Sequence, residues 1–259
     1  MTRDEPCLTI RLARNARDLR AAQRLRYEVF VQELGAQGPM VDHAARLERD
    51  EFDPHFDHLL LIDQRRDPDA LQDVVGAYRL LPPERLAGAG RYYSEGAFDL
   101  SPLCASGRRL VELGRSCVHK DMRGGAAMLL LWNGLAEYVL DREIEVMFGA
   151  ASFPGVDVAR LAQPLGLLHH FHRAPQGLRV AARGGVPMDV LALGQVDRAQ
   201  ALAGIPALIR AYLRLGGHVG DGASVDLDFN TTDVCLVMDT VKMSARHREF
   251  YIRKKGVPA

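Results

Sequence analysis

The sequence lacks the marks of several large classes of protein. Its 33 Lys and Arg residues balance 33 Asp and Glu residues, so the net charge is zero, whereas nucleic-acid-binding proteins normally carry a basic excess. No apolar run approaches the roughly 18 residues that a membrane span needs, and the N-terminus has no signal-peptide pattern. We therefore expect a cytoplasmic protein that has no nucleic acid among its partners.

Residues that bind metals or form disulfides are also few or poorly placed. Cys7, Cys104, Cys117 and Cys235 are far apart and fit no zinc-binding or CxxC spacing. Cys117 lies in an apolar run with no identifiable base beside it, so we predict a core residue and not a nucleophile. The histidines of residues 169–172 have no carboxylate at ligand spacing. We accordingly predict no metal site.

The rest of the sequence is typical of a globular protein with a sizeable core. Of its 259 residues, 47% are apolar and 25% are charged. Predicted strands cover residues 7–12, 58–63, 74–81, 111–118, 145–150, 187–193, 224–227 and 234–238. Predicted helices cover residues 15–34, 126–140, 156–168 and 205–215. This order predicts an α/β fold built on a mixed sheet.

We expect one domain over residues 1–259. Residues 8–155 would form the core, and residues 156–240 would complete the sheet and an acyl pocket. Residues 241–259 form a basic tail. That tail could be a solvated end, or it could contact an acidic partner or the inner face of a membrane.

The most informative stretch is residues 111–127, VELGRSCVHKDMRGGAA. It predicts a buried strand, a basic turn containing glycine, and the start of a long apolar helix. Glu112 and Arg115 lie inside the strand, where a charge costs free energy unless it is paired or used. The N–H groups of the turn and of the helix N-terminus both favour an anion, such as the phosphate of an acyl carrier.

This order of elements, with its anion-binding turn, resembles the GNAT acyltransferase fold. The run 25–35 (LRYEVFVQELG), Asp50 with Asp53, Arg79, and Glu112 with Arg115 resemble acyl-homoserine-lactone synthases. Over residues 8–240 the chain looks more similar still to bacterial L-ornithine Nα-acyltransferases. The stretches that carry this resemblance are 112–132, 148–155, 206–216, 219–222 and 229–234.

The resemblance implies a GNAT-like mixed β-sheet flanked by helices, with a C-terminal α/β extension. It implies transfer of a 3-hydroxyacyl chain from acyl carrier protein to the α-amine of L-ornithine, which forms lyso-ornithine lipid. The 3-hydroxyacyl-phosphopantetheine on the carrier would be a co-substrate, and no cofactor would be bound permanently. Acyl carrier protein and L-ornithine are therefore the expected partners.

The same resemblance assigns candidate roles to residues that bind the acceptor. Glu112 would be the general base, although it could instead be a salt-bridge partner of Arg115 or Arg26. Arg26, Arg79 and Arg115 would share the ornithine carboxylate and order the acidic loop, since Arg suits planar carboxylates, although Arg26 could simply extend to solvent. Asp50 and Asp53 would meet the cationic groups of ornithine, or else belong to a solvated loop. Ser152 is a further expected substrate contact.

Residues of the basic turn are expected to hold the donor. Val118, Arg123, Gly124 and Gly125 would line the phosphopantetheine arm, although the two glycines could form an ordinary turn. Nearby basic side chains would suit an acidic carrier protein, or could be solvated surface. They are Arg108, Arg109, Lys120 and Arg123.

Two other functions remain open from the sequence. One is an acyl-homoserine-lactone-type synthase that uses S-adenosylmethionine. The other is a catalytically silent GNAT-like domain that binds acyl carrier protein or a membrane. The acceptor could also be lysine or glutamine, because each presents the same α-amino acid head. The run 230–233 could be a second polar cluster by the site, or a turn held by its own side chains.

Overall fold

The computed structural model describes residues 7–124 and 126–242. Gly125 and the tail beyond Lys242 lie outside these residues. The strands are β1 (Leu8–Leu12), β2 (Asp57–Asp63), β3 (Val74–Leu81), β4 (Phe98–Asp99), β5 (Leu110–Val118), β6 (Val146–Pro154), β7 (Ala181–Ala182), β8 (His218–Val219), β9 (Ser224–Asp226) and β10 (Thr231–Asp239). The α-helices are α1 (Ala16–Arg26), α2 (Pro83–Ala89), α3 (Ser101–Ala105), α4 (Ala126–Asp141), α5 (Ala162–Phe171), α6 (Arg198–Gly204) and α7 (Ala207–Arg214).

The contacts divide the chain into two compact units. The first contains the described residues up to Ala89 together with Leu113–Arg142. The second contains Gly90–Glu112 and the described residues from Glu143 onward. Strand β5 therefore contributes its first three residues to the second unit and the remainder to the first. The expectation of one domain over the whole chain stays a prediction.

In the first unit the strands lie in the order β1-β2-β3-β5, and the pairs β1/β2 and β2/β3 are antiparallel. Strand β2 is buried on both faces, as its apolar run predicts. Leu60 and Ile62 join the cluster that α1 forms through Ala21, Ala22 and Leu25. A second helix, α4, packs closely against β1 and β3. A Cβ on Gly134 of α4 would lie within 3 Å of Ile10 of β1, and a Cβ on Gly76 of β3 would lie within 3 Å of Leu131 of α4.

The first helical segment begins and ends where the sequence indicates, but it contains two kinds of helix. The Asn15 side chain accepts a hydrogen bond from the Asp18 N–H at 2.9 Å and so caps α1. After Arg26 the chain continues as a π-helix over Tyr27–Glu33, which the sequence does not predict. Gly35, with a φ of +78°, then ends the helical segment.

The second unit contains the strand order β5-β6-β10-β8, with β9 also beside β10. Strands β5 and β6 are parallel over three pairs, from Leu110–Val146 to Glu112–Phe148. Strand β10 is antiparallel to β6 from Thr231–Pro154 to Asp239–Val146. Parallel and antiparallel pairs thus occur together, which confirms the predicted mixed sheet.

One predicted strand, residues 187–193, is wrong. Val186 exchanges two backbone hydrogen bonds with Ala223, but Pro187 follows it and has no N–H to continue a ladder. The segment instead leads to a 3₁₀ turn at Leu193–Gln195.

The sequence also misses α6, which Asp197 caps by accepting hydrogen bonds from two backbone N–H groups. The helix predicted over residues 156–168, which Pro164 is expected to kink or divide, is a 3₁₀ turn, Val158–Leu161, followed by α5. The division falls before Ala162, and Pro164 lies in the first turn of α5, where a missing N–H is tolerated.

Among the residues that the structure describes, no helix is both long enough and apolar enough to cross a membrane.

Candidate functional site

The first unit contains a buried network of alternating charges. Three arginines and three carboxylates meet there, so their formal charges balance. The members are Arg26, Glu48, Asp50, Asp53, Arg79 and Arg115. They come from α1, the acidic loop between α1 and β2, β3 and β5. The network therefore joins four segments that are far apart in the sequence.

Arg26 and Asp53 lie at its most buried point. The Arg26 side chain is 1% exposed and forms ion pairs with Glu48 and Asp53, the second with an Nη1–Oδ1 distance of 2.6 Å. Asp53 is 2% exposed, and its other carboxylate oxygen accepts from the Gln23 amide at 2.9 Å. Because α1 contributes both Gln23 and Arg26, the end of the helix holds the acidic loop directly.

Arg79 and Arg115 extend the network toward the surface. Nη1 of Arg79 lies 2.6 and 2.7 Å from the two oxygens of Asp50 and 2.9 Å from Asp53. The Arg79 guanidinium also lies 4.5 Å from the centre of the Phe56 ring. Arg115 pairs with Glu48 at 3.3 Å and with Asp50 at 3.1 Å. Asp50, 17% exposed, and Arg115, 11% exposed, are the members nearest to solvent.

The network keeps its members ionised. Burial opposes the charged form of Asp53, but the Arg26 and Arg79 charges outweigh it and lower the pKa of that carboxyl. The same balance lowers the pKa of Glu48, through Arg26 and Arg115, and of Asp50, through Arg79 and Arg115. Burial likewise disfavours the Arg26 cation, yet Glu48 and Asp53 raise its pKa.

Three residues expected to bind ornithine lie inside this network. Arg26 and Arg79 both pair with Asp53, and the three side chains are 1–2% exposed. Their contact with ornithine stays a prediction. Arg26 does not extend to solvent, and the Asp50 and Asp53 side chains are 17% and 2% exposed. The arginines form ion pairs with carboxylates of the acidic loop, and their role in ordering it stays a prediction.

The sequence does not single out every member of the network. Glu48 stands in the segment 46–51, in which every residue except Leu47 is charged, and nothing in the sequence distinguishes it from its exposed neighbours. His58 is also buried, with Nε2 2.9 Å from the Asp53 carbonyl oxygen. Burial lowers the pKa of His58 to about 4, so its ring is neutral and donates to that carbonyl near neutral pH.

Arg115 has an unusual backbone. Its φ is +49°, a left-handed conformation that costs a residue with a Cβ about 1 kcal/mol or more and that is rare inside a strand. The surrounding ion pairs with Glu48 and Asp50 hold it there.

Cys117, two residues further on, is buried in the core, and burial raises the pKa of its thiol to about 12. The prediction that Cys117 is a core residue is confirmed.

The basic turn follows β5 in the first unit. Val118 is buried, and its carbonyl oxygen accepts from Nε of Arg123 at 2.9 Å. Arg123 also pairs with Glu33, at the end of the π-helix, at 2.8 Å. Gly124 has a φ of +80° and open space at its Cβ position, while the predicted Gly125 contact lies outside the described residues. Arg123 therefore closes the turn immediately before α4.

Glu112 lies in the second unit and is fully buried at 1% exposure. Its Oε2 accepts from the Tyr93 N–H at 2.8 Å and its Oε1 from the Ser94 N–H at 2.6 Å. These two donors begin the 3₁₀ turn Tyr93–Gly96, so Glu112 holds this turn on the sheet. Two N–H donors also stabilise the ionised carboxylate.

Ser152, an expected substrate contact, is exposed on β6 opposite Asp233 of β10. Cross-strand partners lie on one face of a sheet, and Ala150 of the same strand shares that face with Ser152. Phe148, the partner of Glu112, precedes them on this face. The second unit thus carries Glu112, Ser152 and Asp233 on one side of its sheet.

Removal of the Arg26 charge should destabilise the protein strongly. Arg26→Met would leave Glu48 and Asp53 buried with one cation fewer, at a cost of about 3–5 kcal/mol in the free energy of unfolding. Arg20→Met, on the exposed side of the same helix, should change it by about 0.5 kcal/mol or less. Urea titration followed by circular dichroism measures both, and equal effects of the two variants would contradict the network's structural role.

His58 should make stability depend on pH. Because its pKa is lower in the folded than in the unfolded chain, the unfolded state takes up the proton first, and stability is lost as pH falls from about 6.5 toward about 4. Between pH 7 and pH 5 this loss is about 2 kcal/mol. Glutamine keeps a hydrogen-bond donor but does not titrate. In His58→Gln, the free energy of unfolding measured with urea should therefore fall between pH 7 and pH 5 by about 2 kcal/mol less than in the wild type. An equal fall in the two proteins would refute this role of His58.

Comparison with known proteins places the chain in a family. A model of the acetyltransferase (GNAT) domain matches residues 25–133. Among solved structures, the CoA-dependent acyl-homoserine lactone synthase BjaI, determined with MTA, has a TM-score of 0.51 and 17% identity over 94% of this chain and 84% of that one. This similarity shows that the two proteins share a fold, as expected from the resemblance.

Curated relatives are much closer in sequence. The L-ornithine N(alpha)-acyltransferase of Rhodobacter capsulatus is 62% identical over 245 residues, which is 95% of this chain and 95% of that protein. The protein of the same name from Rhizobium meliloti is 41% identical over 94% of this chain and 84% of that protein. The chain therefore belongs to the L-ornithine N(alpha)-acyltransferase family, within the GNAT fold.

Proposed function

We propose that this protein transfers a 3-hydroxyacyl chain from acyl carrier protein to the α-amine of L-ornithine and forms lyso-ornithine lipid. The observation that carries the proposal is the identity of 62% over nearly the full length of a protein named for ornithine and for the α-nitrogen. The family resemblance and the anion-binding turn support the choice of donor.

The reaction is an acyl transfer from sulfur to nitrogen. The neutral α-amine attacks the thioester carbonyl, a C–N bond forms, and the C–S bond breaks. The amine loses one proton, and the phosphopantetheine thiolate leaves and takes up a proton. The protein must therefore accept a proton beside the amine and orient both substrates.

Glu112 is our candidate for the group that accepts this proton, directly or through one water. Its two oxygens accept hydrogen bonds from the Tyr93 and Ser94 N–H groups, and an ionised carboxylate is a group that can take up a proton. The same two hydrogen bonds fix the carboxylate, so it needs no reorganisation during the reaction.

The charge network is proposed to position residues of the first unit. Arg26, Arg79 and Asp53 are positioning residues, because they act through the loop that they hold. Asp50 and Arg115 are the members with exposed surface, so they are the ones that could meet a substrate. The left-handed backbone at Arg115 depends on this support.

The basic turn is proposed to hold the phosphopantetheine arm. Arg123 is about half exposed while it bridges Val118 and Glu33, so it retains positive charge at the surface. Gly124 allows close approach of a ligand to the backbone, since it has no side chain and open space around it. The first N–H groups of α4 follow and favour a phosphate.

An acidic carrier protein would meet exposed cations near this turn. Lys120 is exposed, and Arg123 keeps part of its surface. Arg108 is a weaker candidate, because it pairs with Asp239 at 2.7 Å and with Glu145 at 3.6 Å. Carrier recognition is therefore proposed to depend on Lys120 and Arg123 through electrostatic attraction.

The proposed reaction predicts a specific product. The purified protein, given a 3-hydroxyacyl carrier protein and a mixture of amino acids, should form an ornithine amide that mass spectrometry detects. The carrier-bound donor should give a kcat/KM about tenfold or more above that of the same chain on coenzyme A, with the advantage falling at high salt. An amide of another amino acid, a lactone, or equal use of coenzyme A would contradict the corresponding part of the proposal.

Substitution of Glu112 tests its role as base. Glu112→Gln should lower kcat by about 10²- to 10⁴-fold, with little change in KM, since proton acceptance is lost and the side-chain shape is kept. Glu95→Gln is a matched control, because Glu95 accepts from the Tyr92 N–H in the same turn. Thermal melts separate catalysis from folding: a parallel loss of kcat and melting temperature in Glu112→Gln would assign Glu112 to holding the turn alone.

A further inference from the structure

The second unit contains an open pocket of about 440 Å³ that the proposed mechanism does not use. One wall comes from the turn at residues 91–97, which Glu112 holds on the sheet. Residues 224–228 form another part of the lining, and Ala150 and Asp233 complete it. Ala150 lies two residues along β6 from Phe148, the pairing partner of Glu112, which is about 7 Å.

The charge of this pocket is strongly negative. Its lining includes three aspartates, Asp226, Asp228 and Asp233, against one cation, Arg91. Asp226 accepts from the Phe229 N–H at 2.9 Å and so fixes the turn between β9 and β10. Asp228 is exposed in that turn, and Asp233 is 8% exposed on β10. The pocket therefore carries a net formal charge of −2 on a fixed frame.

Ser94 gives an independent indication of a ligand. It lines the pocket and is 1% exposed, and its Oγ has no hydrogen-bond partner among the residues that the structure describes. A buried hydroxyl without a partner is unfavourable, because it has lost its hydrogen bonds to water. A ligand that donates or accepts a hydrogen bond in the pocket would remove this cost.

We propose that this pocket binds the side-chain ammonium of the acceptor amino acid, with Asp228, Asp233 and Ser94 as its contacts. An ammonium group has three N–H donors and no acceptor, which matches two carboxylates and a hydroxyl. Arg91 is the complementary partner for the α-carboxylate. The inference rests on the proposed function, and it gives Asp233, in the polar run 230–233, a role in selecting ornithine.

L-Norvaline, which is ornithine without the δ-amine, is the decisive probe. Calorimetry should show that the wild-type protein binds ornithine about 10- to 100-fold more tightly than norvaline. Asp228→Asn and Asp233→Asn should weaken ornithine binding by about that factor and leave norvaline binding nearly unchanged. Asp189→Asn, an exposed aspartate of the same unit, is the control and should behave as wild type.

Ser94→Ala separates binding from folding. Because it removes a hydroxyl that has no partner, its melting temperature should equal or exceed that of the wild type, while ornithine binding falls about fivefold or more. Equal binding of ornithine and norvaline by the wild type would overturn the inference, as would unchanged ornithine binding in both aspartate variants. Calorimetry tests the pocket by ligand binding alone, so it does not require the protein to catalyse the reaction. The proposed function is tested separately, because it would be rejected if the product assay gave no ornithine amide.

Discussion

The balanced burial of six charges constrains the first unit more than any other interaction. The three carboxylates that the acidic loop contributes pair with arginines from three different elements, α1, β3 and β5. Movement of the loop would therefore leave a buried charge without its partner. Hydrophobic contacts alone do not specify such a loop, because they lack direction. The network thereby fixes the end of α1 and supports the strained backbone at Arg115.

Much of this arrangement could be predicted from the sequence, but its purpose could not. Arg79, Glu112 and Arg115 are conspicuous because each lies in a strand where an apolar residue is expected. Whether such a charge faces a ligand or another protein charge depends on burial, which the sequence does not show. Glu48 went unnoticed for the same reason, since one acidic residue among several in a loop has no distinguishing pattern. The strand predicted at 187–193 failed because its apolar residues do not reveal whether a pairing partner exists.

The acceptor end of the proposed reaction depends on the second unit. Glu112 combines two tasks there, because the oxygens that hold the turn at residues 93–96 are those proposed to accept a proton. The same turn forms a wall of the acidic pocket. Two residues of the pocket's lining, Ala150 and Asp233, lie in stretches to which the family resemblance drew notice. Ser94 gave no signal, because serine is common in loops and only its buried, unpartnered hydroxyl makes it unusual.

The position of bound ornithine tests this account most directly. A crystal structure of the protein with L-ornithine and a non-reactive analogue of the acyl donor would locate both nitrogens of the amino acid. The δ-nitrogen should lie within hydrogen-bond distance of Ser94 Oγ and Asp233, and the α-nitrogen should point toward Glu112. A δ-nitrogen on Asp50, with the carboxylate on Arg115, would contradict it and would return the charge network to the role of an acceptor site.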